Sequence, residues 1–430
     1  MNQQASVRSI EGPRYAPTWM GLAYAFFIMI STLYPYTRSF SVPWFTIWAA
    51  YAGIIGMGFL WMFTTGCFER LKVTNHFFWM YTLTYLLLLC VSLFLWIRAQ
   101  ESLSYIKRGV GVILYQLIIN LMVCTAAYLF GRRAIHYTLL GMAAGYGVII
   151  ATVIQQFGLG TFVSSMVEFY AGLGKTDNAV VQALEVHDLT FAFGELCIYY
   201  LIFEKERRRK IIGFGVAFVC FILGWKRIAL AGIALAFGYV TLMRRLRPRT
   251  VVRLTAAIFF LVFLANYGYL YLIKSGLYAK IMEAEGVDTM GRVQLYRYFG
   301  SYYEINPLFT GYGMGYISRQ MQNLLDQGFG VLNNALSVHN DILKRYIELG
   351  FWGFTAWNFY TFSGVFQWVR SKYDFDTVTL YVSLTIFVYC TYLTDNTVEY
   401  YHINTCLRLL PMALAVESSK PLWRRKGGLA

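Results

Sequence analysis

Apolar runs of about 20 residues, separated by short polar segments, recur along the whole 430-residue chain. A run of that length crosses a bilayer as a helix, because lipid leaves no other way to satisfy a spanning backbone. The pattern predicts an all-α integral membrane protein, residues 1–430 forming one polytopic domain. Twelve transmembrane helices are expected, at about 18–37, 43–68, 76–97, 109–130, 134–157, 188–203, 211–225, 227–243, 254–273, 350–369, 377–394 and 403–417. The seventh, eighth and twelfth are the shortest. Two longer polar segments break the rhythm, at about 158–187 and 274–349. The second is rich in Tyr, Phe and Leu and carries helical patterns of its own. That composition favours a folded, functional loop over a disordered one.

Composition agrees: 58% of residues are hydrophobic, 18% aromatic and only 14% charged, against about 25% charged in soluble domains. Met1 to Trp19 is polar and leads straight into the first run, unlike a cleaved signal peptide. The basic residues set an orientation. With Arg8 and Arg14 in the cytoplasm, alternate segments carry most of the 37 Lys and Arg residues, including Lys205–Lys210 and Arg244–Arg253. Both termini are therefore expected in the cytoplasm. The net charge of +15 reflects this asymmetry and does not point to nucleic acid. Seven scattered Cys residues, five of them inside spans, suggest neither a disulfide framework nor a zinc site.

The long segment 274–349 holds most of the candidate chemistry. Arg292, Leu295, Tyr296 and Phe299 recur at helical spacing and share one face. Such a helix either turns Arg292 towards the protein or lies in the interface with Arg292 snorkelling to headgroups. Pro307-Leu308-Phe309-Thr310-Gly311-Tyr312-Gly313-Met314-Gly315 has three alternating glycines that permit close backbone approach, without the signature of a phosphate loop. Ser337-Val338-His339-Asn340 follows, and Ser337 or Asn340 is the expected cap of the next helix. His339 falls at or just before that helix start, where the positive dipole end favours neutral imidazole, the form a general base needs. Its alternative is an interfacial histidine held by loop backbone. Arg345 lies on the same helix.

Gly224-Trp225-Lys226-Arg227 forms a tight turn between two short spans. The basic clusters on either side force it to the outer face, where two cations run against the charge rule. Ionisable groups at membrane depth are costly, and a guanidinium fits phosphate oxygens, so Lys226 and Arg227 are candidate anion ligands. Glu185, His187 and Asp188 at one span start, and Asp395, Asn396, Glu399 and His402 at another, are lesser candidates for contacting an acceptor. Asp374-Phe375-Asp376 looks like a metal–nucleotide motif but sits in a short cytoplasmic loop and is not read as a site. His76 and His136, at cytoplasmic span starts, are expected to be structural.

Three local matches make the chain resemble the O-antigen ligase and polymerase superfamily, multispan glycosyltransferases of bacterial envelopes. His339, ten residues and Gly350 are similar to its HX10G motif. Gly291-Arg292, then Pro307-Leu308-Phe309 and Gly311-Tyr312-Gly313, are similar to the loop pattern leading to that histidine. Lys226-Arg227-Ile228-Ala229-Leu230 is similar to its RX3L motif, except that Leu comes one position early and Ala231 takes the expected place. The matches lie in the second half of the chain; the first half matches only in hydropathy.

The resemblance implies a GT-C-like membrane fold and a glycan delivered on undecaprenyl diphosphate at the outer face of the bacterial cytoplasmic membrane. Arg227, Arg292 and Lys226 would bind the diphosphate, and His339 would take the proton of the acceptor hydroxyl. Tyr296, Tyr312, Arg345 and His187 would contact substrate. Diphosphate is a good leaving group, so neither metal nor cofactor is expected. The implied partners are the lipid-linked donor, a glycan or lipid-linked acceptor, and a chain-length regulator protein. Polymerisation of surface polysaccharide or capsule repeat units is the primary expectation. Ligation of lipopolysaccharide O-antigen to lipid A core is the alternative, and a transporter of lipid-linked glycan is the alternative of another class.

Overall fold

The computed structural model describes residues 15–33, 45–66, 68, 70–172, 178–285, 291–326 and 338–418, with Phe45, His187 and Leu325 described by backbone alone. No strand occurs among them. In chain order the helices are α1 (Thr18–Leu33), α2 (Phe45–Thr65), α3 (Leu71–Arg98), α4 (Leu103–Phe130), α5 (Arg133–Phe157), α6 (Leu159–Ala171), α7 (Ala179–Leu184), α8 (His187–Ile202) and α9 (Arg207–Gly224). Then follow α10 (Arg227–Met243), α11 (Pro248–Lys274), α12 (Leu277–Ala284), α13 (Arg292–Gly300), α14 (Tyr316–Asp326), α15 (Asp341–Asn358), α16 (Val365–Lys372), α17 (Phe375–Tyr392) and α18 (Tyr401–Glu417). A π-helical turn, Phe359–Gly364, joins α15 to α16, and a 3-10 turn, Thr397–Glu399, precedes α18.

Each of the twelve expected spans overlaps helix, the tenth (350–369) running across α15, the π-helical turn and α16, but they are not alike. The helices α2, α3, α4, α5, α11 and α17 are long and apolar enough to cross a membrane, and α1 and α10 are shorter apolar helices. Apolar side chains such as Phe26, Phe63, Phe94, Leu235 and Phe260 remain exposed. On a helix of this composition such a surface suits lipid. The polar segment 158–187 contains α6 and α7, and the long segment 274–349 contains α12, α13 and α14.

The bundle packs in pairs: α1 on α5, α3 on α4, α8 on α9 and α10 on α17, with α18 threaded between α3, α4, α8 and α17. Consequently α8, α17 and α18 are the most enclosed part of the chain. Local chemistry starts several helices. The side chain of Asn340 accepts the Leu343 N–H at 2.9 Å and caps α15, Asp374 caps α17 through the Thr377 N–H, and Pro248 occupies the first turn of α11.

One chain crossing fixes the loop to the bundle. Gly350 interrupts α15 with φ of 70°, and Gly311 in the loop has φ of 81°. A Cβ on Gly350 would lie 2.2 Å from the Thr310 carbonyl carbon, and one on Gly311 would lie 2.3 Å from the Gly350 nitrogen. Both positions therefore require glycine for conformation and for space. The crossing is sealed by Phe351 N–H to Phe309 O at 2.8 Å and Gly313 N–H to Glu348 O at 2.7 Å.

Candidate functional site

The expected cap at Asn340 is present; Ser337 lies outside the described residues. The Asn340 amide also donates to the Tyr269 hydroxyl at 2.9 Å, so both ends of that side chain are used. His339, immediately before the cap, takes a left-handed conformation, φ 48°. That backbone is uncommon for a residue with a Cβ and marks functional sites more often than chance. The side chain is about a quarter exposed, and its Nδ1 lies 3.4 Å from Oδ1 of Asp395. Asp395 is buried, and the same oxygen accepts the Tyr400 hydroxyl at 2.6 Å and the Asn396 N–H at 2.8 Å. Three donors thus converge on one carboxylate oxygen. With the imidazole proton on Nδ1, facing Asp395, Nε2 keeps the lone pair a base requires.

The helix α13 presents Arg292 to this corner. Leu295, Tyr296 and Phe299 are buried on the face their spacing predicts, and Arg292 is half-buried at the first turn. Tyr296 donates its hydroxyl to the His339 carbonyl at 3.4 Å and packs on Tyr278 with ring centroids 5.2 Å apart. Burial holds the Tyr296 phenol up at about 12, so it remains a donor. The charge of Arg292 is felt by both Tyr278 and Tyr296. No hydrogen bond or ion pair engages its guanidinium among the described residues.

The turn at 224–227 reaches the same end of the bundle through a relay of contacts. Lys226 is ion-paired with Glu185. Three residues on, the Asp188 carboxylate accepts the backbone N–H groups of Tyr401, His402 and Ile403 and the His402 ring at 2.8–3.0 Å. It therefore caps α18 from another helix. Glu399, just before α18, pairs with Lys344 at 2.8 Å and Arg345 at 3.0 Å on α15. Arg227 is the exposed first residue of α10, and no ion pair engages it among the described residues.

The expected residues therefore separate. His339, Tyr296 and Arg292 come together, and Arg227 stands at the same end of the molecule. Lys226, grouped with the diphosphate ligands, is instead balanced by Glu185, and Glu185 and Asp188 serve the bundle. Arg345, expected to contact substrate, is 1% exposed and holds Glu348 at 2.9 Å, Glu399 and the Met314 sulfur. It is an internal brace with no open face. Tyr312 is half-buried in the glycine loop and stacks on Tyr316 with ring centroids 4.1 Å apart. His187 opens α8, and its side chain lies outside the described residues.

Sequence reasoning grouped Asp395 with lesser candidates, because 56 residues separate it from His339. It did not find Arg408, whose only signal is an arginine inside an apolar run. His402 bonds Asp188 and Thr32, His76 bonds Tyr373 and His136 bonds Tyr200. Asp376 of the acidic pair meets Lys205 at 3.3 Å.

Residues 212–357 match the family model described as O-Antigen ligase. This stretch covers the 224–227 turn, α13, the glycine loop and His339 through Gly350. No curated protein matches the chain.

Proposed function

From membership of the O-antigen ligase and polymerase superfamily, we propose that the protein is a glycosyltransferase using a polyprenyl-diphosphate-linked glycan at the outer face of the bacterial cytoplasmic membrane. Both termini then lie in the cytoplasm, in keeping with the basic segments on that side. The observation that carries the reading is the pairing of His339 with buried Asp395, near an arginine, Arg292, that no ion pair engages among the described residues.

In the proposed reaction the acceptor hydroxyl oxygen attacks the anomeric carbon of the donor. The bond from that carbon to the diphosphate oxygen breaks, and the diphosphate leaves with the electron pair. Arg292 and Arg227 stabilise the charge that builds on it. The acceptor proton passes to His339 Nε2, and Asp395 stabilises the resulting imidazolium. No proton need reach the leaving group, because diphosphate departs as an anion.

The acceptor we propose is a second lipid-linked repeat unit, which makes the enzyme a polymerase. The description O-Antigen ligase supports a second reading, transfer to lipid A core or another acceptor. Reconstitution with a lipid-linked glycan and each acceptor in turn tests both. Elongation of the lipid-linked chain is the expected outcome, and exclusive transfer to core would establish ligation. Translocation without any new glycosidic bond would leave a transporter. His339→Ala and Arg227→Ala should each abolish transfer; near wild-type activity in both ends the assignment.

A further inference from the structure

Three Lys or Arg side chains are 2% exposed or less among the described residues: Lys344, Arg345 and Arg408. The first two share the Glu399 carboxylate. Arg408, halfway along α18, hydrogen-bonds only neutral groups among the described residues. Its guanidinium donates to the Gln116 carbonyl at 3.1 Å, the Gln116 side chain at 2.6 Å, Asn404 at 3.3 Å and the Tyr85 hydroxyl. A cation inside a membrane bundle is costly unless a negative charge accompanies it.

Arg408 also lines a cavity of about 50 Å³ whose walls come mainly from α3, the π-helical turn, α17 and α18. Tyr81 lines the same cavity, is 7% exposed, and its hydroxyl has no hydrogen-bond partner. The Thr361 hydroxyl, contributed by the π-helical turn, is likewise unpartnered. Orphaned donors beside an unbalanced cation are a donor set for an anion. Single π-helical turns inside α-helices frequently accompany functional sites. The volume exceeds the roughly 10–15 Å³ that one water needs, and is far too small for a sugar or a diphosphate.

We propose that this cavity binds a small monovalent anion of the halide class, held by Arg408 and by the hydroxyls of Tyr81 and Thr361. The anion supplies the missing counter-charge and ties α3, the π-helical turn and α18 together. This site is separate from the proposed glycosyl-transfer chemistry and does not depend on it.

One rival exists within the protein. Glu195 on α8 is fully buried and close enough to feel the charge of Arg408, yet neither carboxyl oxygen has a hydrogen bond of normal geometry.

Thermal unfolding of the purified full-length protein in detergent decides between them, with chloride exchanged for gluconate at constant ionic strength. The midpoint should rise saturably with chloride and with bromide, as for any ligand bound only by the folded state. Tyr81→Phe should raise the half-saturating chloride concentration roughly tenfold, the effect of losing one hydrogen bond to a charged group. Arg408→Gln should abolish the response; if that variant does not fold, the wild-type and Tyr81→Phe titrations suffice. A wild-type midpoint indifferent to halide overturns the proposal. So does a Tyr81→Phe titration identical to the wild type. Halide indifference together with strong destabilisation by Glu195→Gln would assign the counter-charge to Glu195.

Discussion

His339 and Asp395 make the sharpest contrast between a residue that reacts and one that positions it. His339 is partly exposed, whereas Asp395 is buried and holds His339, Tyr400 and the Asn396 N–H on one oxygen. Removing the base should lower kcat by about 10²–10⁴-fold, the usual contribution of general-base catalysis. Asp395→Asn keeps the shape but loses the charge that stabilises imidazolium. We expect kcat to fall with KM for the lipid-linked donor unchanged, because Asp395 acts on the imidazole of His339. A rise in donor KM without loss of kcat would mean that Asp395 shapes the binding site instead. Arg292→Ala, by contrast, should change donor affinity and rate together.

Among the elements, α15 carries the most demands. Its cap is Asn340, its first turns hold the ion pairs, and Gly350 bends it where the loop crosses. Asn340→Ala should destabilise the protein by about 1 kcal/mol through the lost cap, with a further cost because Tyr269 loses its donor. Gly350→Ala should be worse. The left-handed conformation alone costs of order 1–3 kcal/mol, and the added Cβ meets backbone that cannot yield. Poor recovery of folded protein after detergent extraction is the expected readout for Gly350→Ala and for Gly311→Ala. Normal recovery and stability would show that the crossing is looser than its contacts imply. The glycine of the histidine–glycine spacing thus has a mechanical reason: it lets the 309–313 strand of loop lie against the helix that presents His339.

For the whole molecule, the Lys344–Glu399–Arg345–Glu348 network joins α15 to the turn before α18. Burial opposes ionisation of Glu399, but the adjacent Lys344 and Arg345 prevail and hold its carboxyl down at about 2. A carboxyl depressed in the folded state contributes stability that is complete above its ordinary value and is lost as pH falls through the folded one. The window here runs from about 4.5 down to about 2. Acid unfolding should therefore begin in that range. Glu399→Gln should remove this part of the acid dependence and cost about 3–5 kcal/mol at neutral pH, since it leaves buried cations unbalanced. A variant as stable as the wild type would show that solvent reaches Lys344 and Arg345.

The sequence by itself determined the helical membrane character, the positions of the helices, the buried face of α13 and the Asn340 cap. Each of these is local: periodicity, run length and capping act within a few residues. It also picked out His339, Arg292 and Arg227 by their spacing. The tertiary structure decided which charges are free. Lys226 and Arg345 read like Arg227 and Arg292 along the chain, yet Glu185, Glu348 and Glu399 balance the first two. It also decided that Asp395 meets His339, that Asp188 caps a helix more than 200 residues away, and that Arg408 hydrogen-bonds only neutral groups among the described residues. Ion pairing is set by distance in space, and the energy of a buried charge depends on its partners rather than its neighbours in sequence.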